Sequence, residues 1–239
     1  MCVWTVSCRT VRMKNSLSVF RAYFFIFRFC HVIRPLHRGG FFYTDFLHRI
    51  FLRIFVTKKP AVRKLSMDEL NRPDVETYKR MNKHPVVLVL DNIRSLNNIG
   101  SIFRTADALA VEKIYLTGFT AVPPHKDIHK TALGATESVD WAYEKDVREL
   151  LRRLKKEHYT VVAVEQTDSG IMLQDFMPGP KKKWALIFGN EVKGVSDEAL
   201  ALADMALEIP QFGTKHSFNV AVSAGIVLWD VISKLKYGR

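Results

Sequence analysis

The sequence predicts an α/β domain, a mostly parallel sheet with helices on both faces. Three observations predict it. From residue 85 onward, short β-branched runs alternate with amphipathic helical stretches. The first run, Val86–Leu90 (VVLVL), is continuously apolar, as in a strand buried on both faces. The residues with chemical potential cluster just after strands, where open α/β sheets bind their ligands.

Before the first strand, the stretch 66–80 is polar, with Ser66 and Glu69 at capping-box spacing, which predicts a short helix or arm. Asn98–Ala110 reads as a helix, with Ile99, Ile102, Phe103, Ala106 and Leu109 on one stripe and Asn98 as N-cap. Lys113–Thr117 is a second strand. Val147–His158 is an amphipathic helix with Leu150, Leu151 and Leu154 turned inward. Thr160–Val164, Ala185–Phe188 and Met205–Ile209 are further strands. Ser196 is expected to cap a helix over Asp197–Leu202, and Ser217 a long final helix reaching Lys236. Between Phe218 and Ile232 only Asn219, Ser223 and Asp230 are polar. A helix apolar nearly all round is buried on more than one side, so one side should pack on the sheet and another on a second subunit. The sequence therefore predicts a homodimer. The helix is too short and too interrupted for a membrane span.

The chain has 239 residues and a formal net charge of +12, which suggests an anionic partner. Mapping the charge weakens that argument. Residues 1–60 hold 11 Lys/Arg and one acid, Asp45, whereas the remainder holds 25 bases and 23 acids. The first sixty residues also contain ten of the sixteen Phe, without period. Arg21, Arg28, His31 and Arg34 interrupt any membrane span, and no signal-peptide h-region is clear. A basic, aromatic RNA-binding arm is one reading. The favoured expectation is upstream sequence from a misassigned start, with Val62 as the true beginning, because composition changes abruptly near Lys58-Lys59-Pro60. The expected organisation is an extension over 1–61, a short helical arm over 62–84 and the main domain over 85–239. All three cysteines, Cys2, Cys8 and Cys30, lie in the extension. A cysteine-free body fits a cytoplasmic protein.

Three clusters follow strands. The first is NNIGSIFRTA (97–106), where Gly100 admits another chain closely and Arg104, six residues beyond Asn98, is expected to share one site with it. From this segment alone, a partly buried arginine paired with a carboxylate, an ordinary structural role, is an equal alternative. The second is LIFGNEVKGVS (186–196), whose glycines permit a tight loop with exposed backbone groups and put Glu191 at its rim. The third is IPQFGTKHSFNVAVSAGI (209–226), with Asn219 in the first turn of the last helix. In this order and at these strand ends, the clusters resemble the SpoU/TrmH family of RNA ribose methyltransferases. The segment 129–135 (HKTALGA) also looks like the family, and the resemblance covers residues 62–239.

That resemblance implies a C-terminal trefoil knot, a homodimer, and S-adenosylmethionine as cofactor. It implies cofactor binding at Gly189, Ile209 and Phe218, with Thr167 lining the same pocket. Asn98, Arg104, Glu191, Ser217 and Asn219 fall on the family's catalytic or structural positions. The implied activity is methyl transfer to a ribose 2′-hydroxyl of tRNA or rRNA, with no metal and no membrane. Lys126 and Lys130, on an expected loop over 123–130, are expected to touch RNA. The absence of a G-x-G-x-x-G run or a P-loop disfavours a Rossmann methyltransferase or an NTPase. The rivals are a knotted methyltransferase of base nitrogens and a non-catalytic RNA-binding or assembly factor.

Overall fold

The computed structural model describes residues 62–238. The extension and the expected start at Val62 concern sequence outside, or at the edge of, the described residues. The chain divides into two units, Met1–Glu69 and Leu70–Arg239. In the first, Ser66 and Glu69 form the expected reciprocal cap: Ser66 N–H donates to Glu69 Oε2 (2.8 Å) and Glu69 N–H to Ser66 Oγ (3.4 Å).

The second unit runs α1 (Val75–Arg80), β1 (His84–Asp91), α2 (Leu96–Ala108), β2 (Val111–Thr117), α3 (Lys126–Ala132), α4 (Ala135–Ser138), β3 (Trp141–Glu144), α5 (Val147–Lys156), β4 (Tyr159–Val164), β5 (Ile171–Met172), β6 (Lys183–Phe188), α6 (Asp197–Leu200), β7 (Met205–Glu208) and α7 (Val220–Tyr237). One seven-stranded sheet has the order β3-β2-β1-β6-β4-β7-β5, with every pair parallel. Successive side chains of a strand point to opposite faces. Val86, Leu88 and Leu90 of β1 pack with α2, α3 and α7, through residues such as Phe103, Ile128 and Leu228. Val87 and Val89 pack on the other face with Leu150, Leu151 and Leu154 of α5 and Ala199 of α6. Each such fully buried aliphatic side chain contributes about 1.5–3 kcal/mol.

Four expectations are corrected. The N-cap of α2 is Ser95, not Asn98: Ser95 Oγ accepts from Asn98 N–H (3.3 Å), which leaves the Asn98 side chain free for other bonds. The last helix is capped by Asn219, not Ser217, because Asn219 Oδ1 takes the N–H groups of Ala221 (2.9 Å) and Val222 (3.4 Å). Ser196 precedes a helix that ends at Leu200, and its buried hydroxyl bonds nothing among the described residues. The segment around Pro123–Lys130, read as a loop, contains α3, which rests against Gly100 of α2.

Candidate active site

Strands β6, β4 and β7 are neighbours in the sheet, so the loops leaving their carboxyl ends lie side by side. Between those loops lies a crevice of about 520 Å³, within the usual range for small-molecule sites. Gly189, Glu191, Ile209, Ser217, Phe218 and Asn219 all line it. The second and third sequence clusters therefore meet, as expected. Glu165, Glu208 and Lys193 line it too. Three carboxylates against one ammonium give a field that favours a positively charged ligand.

The first cluster joins through a chain of hydrogen bonds. Glu191 accepts from the backbone N–H of Arg94 (3.0 Å) and Ser95 (2.9 Å), and from Asn98 Nδ2 (3.0 Å). Its carboxylate thus sits at the start of α2, where free N–H groups and the helix dipole favour an anion. Asn98 Oδ1 in turn accepts from Asn219 Nδ2 (3.1 Å). Glu191, Asn98 and Asn219, one from each cluster, form one polar relay. Burial pushes the Glu191 carboxyl upward, but the N–H bonds from Arg94, Ser95 and Asn98 outweigh it and hold its pKa below the ordinary value of 4.5. A carboxyl depressed on folding contributes stability above that ordinary value and loses it as pH falls through the depressed one. Glu191→Gln, which leaves one donor unpaired, should cost roughly 1 kcal/mol at neutral pH, a low figure because the residue is open to solvent. Melting curves of the two proteins should converge at acid pH; a constant gap would show that the carboxylate charge is irrelevant.

Sequence reading missed several supporting groups. Asn190 Nδ2 donates to the Asn92 carbonyl (2.7 Å), and its Oδ1 accepts from Val192 (2.9 Å) and Lys193 (3.0 Å) N–H. Asp91, at the end of β1, accepts from Ser196 N–H (2.9 Å). Glu165 accepts from Val195 N–H (3.0 Å). A polar residue directly after an apolar strand was the available signal for Asp91 and Glu165.

Arg104 does not join the crevice lining. It is exposed, with no hydrogen bond or ion pair among the described residues. Six helical residues turn about 600°, which puts Arg104 roughly 120° around α2 from Asn98 and about 9 Å along it. Neither residue is in the crevice lining, and Asn98 reaches it only through Glu191 and Asn219. Lys126 and Lys130 are exposed on α3, and Thr131 Oγ1 ties that helix to the Asn97 carbonyl (3.1 Å). Lys126 lines a second cavity of about 500 Å³ together with His125, His129 and Trp141. Thr167 is not in the crevice lining, but its buried Oγ1 has no partner among the described residues and its neighbour Gln166 lines the crevice.

The crevice fits a nucleoside cofactor with a cationic centre. Ser217 and Phe218 line it, and their backbone groups make no hydrogen bond among the described residues. The orphaned Thr167 hydroxyl lies next to it. At Gly189 the loop closes so tightly that a Cβ would meet Gly194 C and Val195 N at 2.1 Å, so backbone rather than side chain forms that wall. Among the described residues no group of three or more His, Cys, Asp or Glu could hold a metal, and no helix is long and apolar enough to cross a membrane.

Comparison with known proteins agrees with this geometry. The tRNA (guanosine(18)-2'-O)-methyltransferase of Thermus thermophilus is 32% identical over 163 residues, covering 68% of this chain and 81% of the relative. A 23S rRNA (guanosine-2'-O-)-methyltransferase of Neisseria meningitidis serogroup B is 29% identical over 64% of this chain and 60% of its own. The AdoMet-bound rRNA methyltransferase structure from Sinorhizobium meliloti matches with a TM-score of 0.58 at 27% identity, covering 64% of this chain and 57% of that one. The A. aeolicus TrmH/SpoU tRNA modifying enzyme matches with a TM-score of 0.60 over 69% of this chain and 81% of that one; at 24% identity it shows the fold alone. The model of the SpoU rRNA Methylase family matches residues 85–229, and with the crevice and its relay in place the chain belongs to that family.

Proposed function

We propose that this protein is an RNA 2′-O-methyltransferase that transfers a methyl group from S-adenosylmethionine to a ribose hydroxyl. The observation that carries this is the relay Glu191–Asn98–Asn219, which ties three distant segments together at one crevice. The main-chain groups of Gly189, Ile209 and Phe218 and the hydroxyl of Thr167 would hold the cofactor. Bound there, it supplies a methyl group on a sulfonium, an electrophile whose departure leaves a neutral thioether.

The chain's own residues do the rest. Glu191, Asn98 and Asn219 fix the loops, and Ser217 lies beside them in the lining. Arg104 stabilises the alkoxide that develops on the ribose oxygen. Its guanidinium keeps its own proton, since its pKa exceeds about 12, so a substrate phosphate is the better proton acceptor. The exposed position of Arg104 makes it available to RNA arriving from solvent. Lys126 and Lys130 extend that basic surface toward the backbone of the same RNA.

The last helix supports a homodimer. Val222 and Trp229 are exposed on one of its sides while Val227, Leu228 and Val231 are fully buried on another. Seven residues apart, the two exposed side chains share a stripe that a second copy would cover. Sedimentation of Trp229→Glu beside the unmodified protein tests it; equal mass for both would refute that interface. Family membership supports the C-terminal trefoil knot, and the cysteine-free body supports a cytoplasmic setting.

The test of function is incubation with methyl-labelled S-adenosylmethionine and separate pools of tRNA, rRNA and DNA. Guanosine-containing RNA is the first substrate to try, because both curated relatives carry guanosine in their names. Label in alkali-resistant dinucleotides of RNA, with none in DNA, is the expected result. A methylated base would overturn the ribose assignment. RNA binding without label would favour the assembly-factor reading.

A further inference from the structure

We propose that Gln166 is a positioning residue: it tethers the 210–218 loop to the sheet and so sets the width of the cofactor crevice. The proposal rests on the cofactor reading of that crevice.

The 210–218 loop supplies Ser217 and Phe218 to the crevice, yet little holds it. Among the described residues its backbone makes no backbone–backbone hydrogen bond. It accepts two side-chain bonds, both at the His216 carbonyl, from Gln166 Nε2 (3.1 Å) and Gln211 Nε2 (3.5 Å). Gln211 belongs to the loop itself. Gln166 is therefore the one hydrogen-bonded tether to the rest of the unit among the described residues.

Gln166 has a fixed base from which to act. It follows β4, which lies between the strands that deliver the two crevice walls. Glu165 N–H donates to the Leu207 carbonyl at the end of β7 (3.1 Å). The Glu165 carboxylate takes Gln166 N–H on Oε1 (2.9 Å) and Val195 N–H on Oε2 (3.0 Å). Gly194, at φ +72°, leaves room for this: a Cβ there would lie 2.2 Å from Glu165 Oε2. A continuous link thus runs from Val195 on one wall through Glu165 and Gln166 to His216 on the other. A ligand held between two loops depends on the spacing of those loops, because binding is strongest where the walls are already set at the right width.

The experiment compares the unmodified chain with Gln166→Met, which keeps the side-chain length and removes the donor. Calorimetry with S-adenosylmethionine should show about tenfold weaker binding, the effect of one lost hydrogen bond. The melting temperature without cofactor should not move, because Gln166 is exposed. In cofactor-free protein, cleavage after Lys215 by a lysine-specific protease should be about tenfold faster, as the tether's loss raises the open population. Equal cofactor affinity and equal cleavage in both proteins would overturn the proposal. So would a fall in melting temperature that accounts for the weaker binding. If the unmodified chain binds no cofactor while Lys215 cleavage still accelerates in the variant, the cofactor reading fails and the tether stands.

Discussion

Arg104→Ala should lower methyl transfer by roughly 10²–10³-fold, the effect of removing one donor aimed at developing negative charge. It should do so without cost elsewhere. Arg104 is exposed and has no partner among the described residues, so stability should change by no more than about 0.5 kcal/mol. Because it lies outside the crevice lining, S-adenosylmethionine should bind the variant as it binds the unmodified chain. Arg104→Lys keeps the charge but loses the planar fork, and should recover only part of the rate. Single-turnover rates beside calorimetric affinities separate the outcomes. Unchanged turnover would remove Arg104 from the chemistry, and lost cofactor affinity would make it a structural residue.

Gly189→Ala should weaken cofactor binding by roughly 100-fold, or about 2.7 kcal/mol. A Cβ at this position would meet Gly194 C and Val195 N at 2.1 Å and Gly194 O at 2.4 Å. All three are backbone atoms, so no side-chain rotation relieves the overlap. The loop would have to open, which breaks the paired bonds between Asn190 and Gly194, at 2.8 and 2.9 Å. Two lost hydrogen bonds at about 1 kcal/mol each, together with residual strain, account for that magnitude. Gly213→Ala is the control, because a Cβ there meets nothing within 4 Å. Gly189→Ala binding within threefold of the unmodified chain would show that this wall does not touch the ligand.

Much of the fold was legible. Strands β1, β2, β4, β6 and β7 announce themselves as short apolar runs, and α2 and α5 as apolar stripes. Those patterns are local and set by the strand and helix periods. The missed elements carry little such signal. Edge strand β3 is at best half-buried along its length, and β5 is two exposed residues. Helix α3 buries only Ile128 and Ala132. The capping errors share one cause: several cap-competent side chains stand together, as in Ser95 with Asn98 and Ser217 with Asn219, and the bonds each makes elsewhere decide between them.

The sequence by itself determined the α/β class, the strand ends where chemistry gathers, and the cluster identities that point to the family, because each is written in residue type at short spacing. The tertiary structure alone decided how they combine. Glu191 reaches Asn98 across 93 residues and Asn219 reaches Asn98 across 121, contacts that exist only because β6 lies beside β1 and α7 packs on the same face as α2. It also turned Arg104 outward and made Gln166 the tether of a distant loop. No local propensity encodes which strands neighbour one another; that follows from burying both faces of one sheet at once, and the polar side chains at the strand ends take the partners the packing delivers.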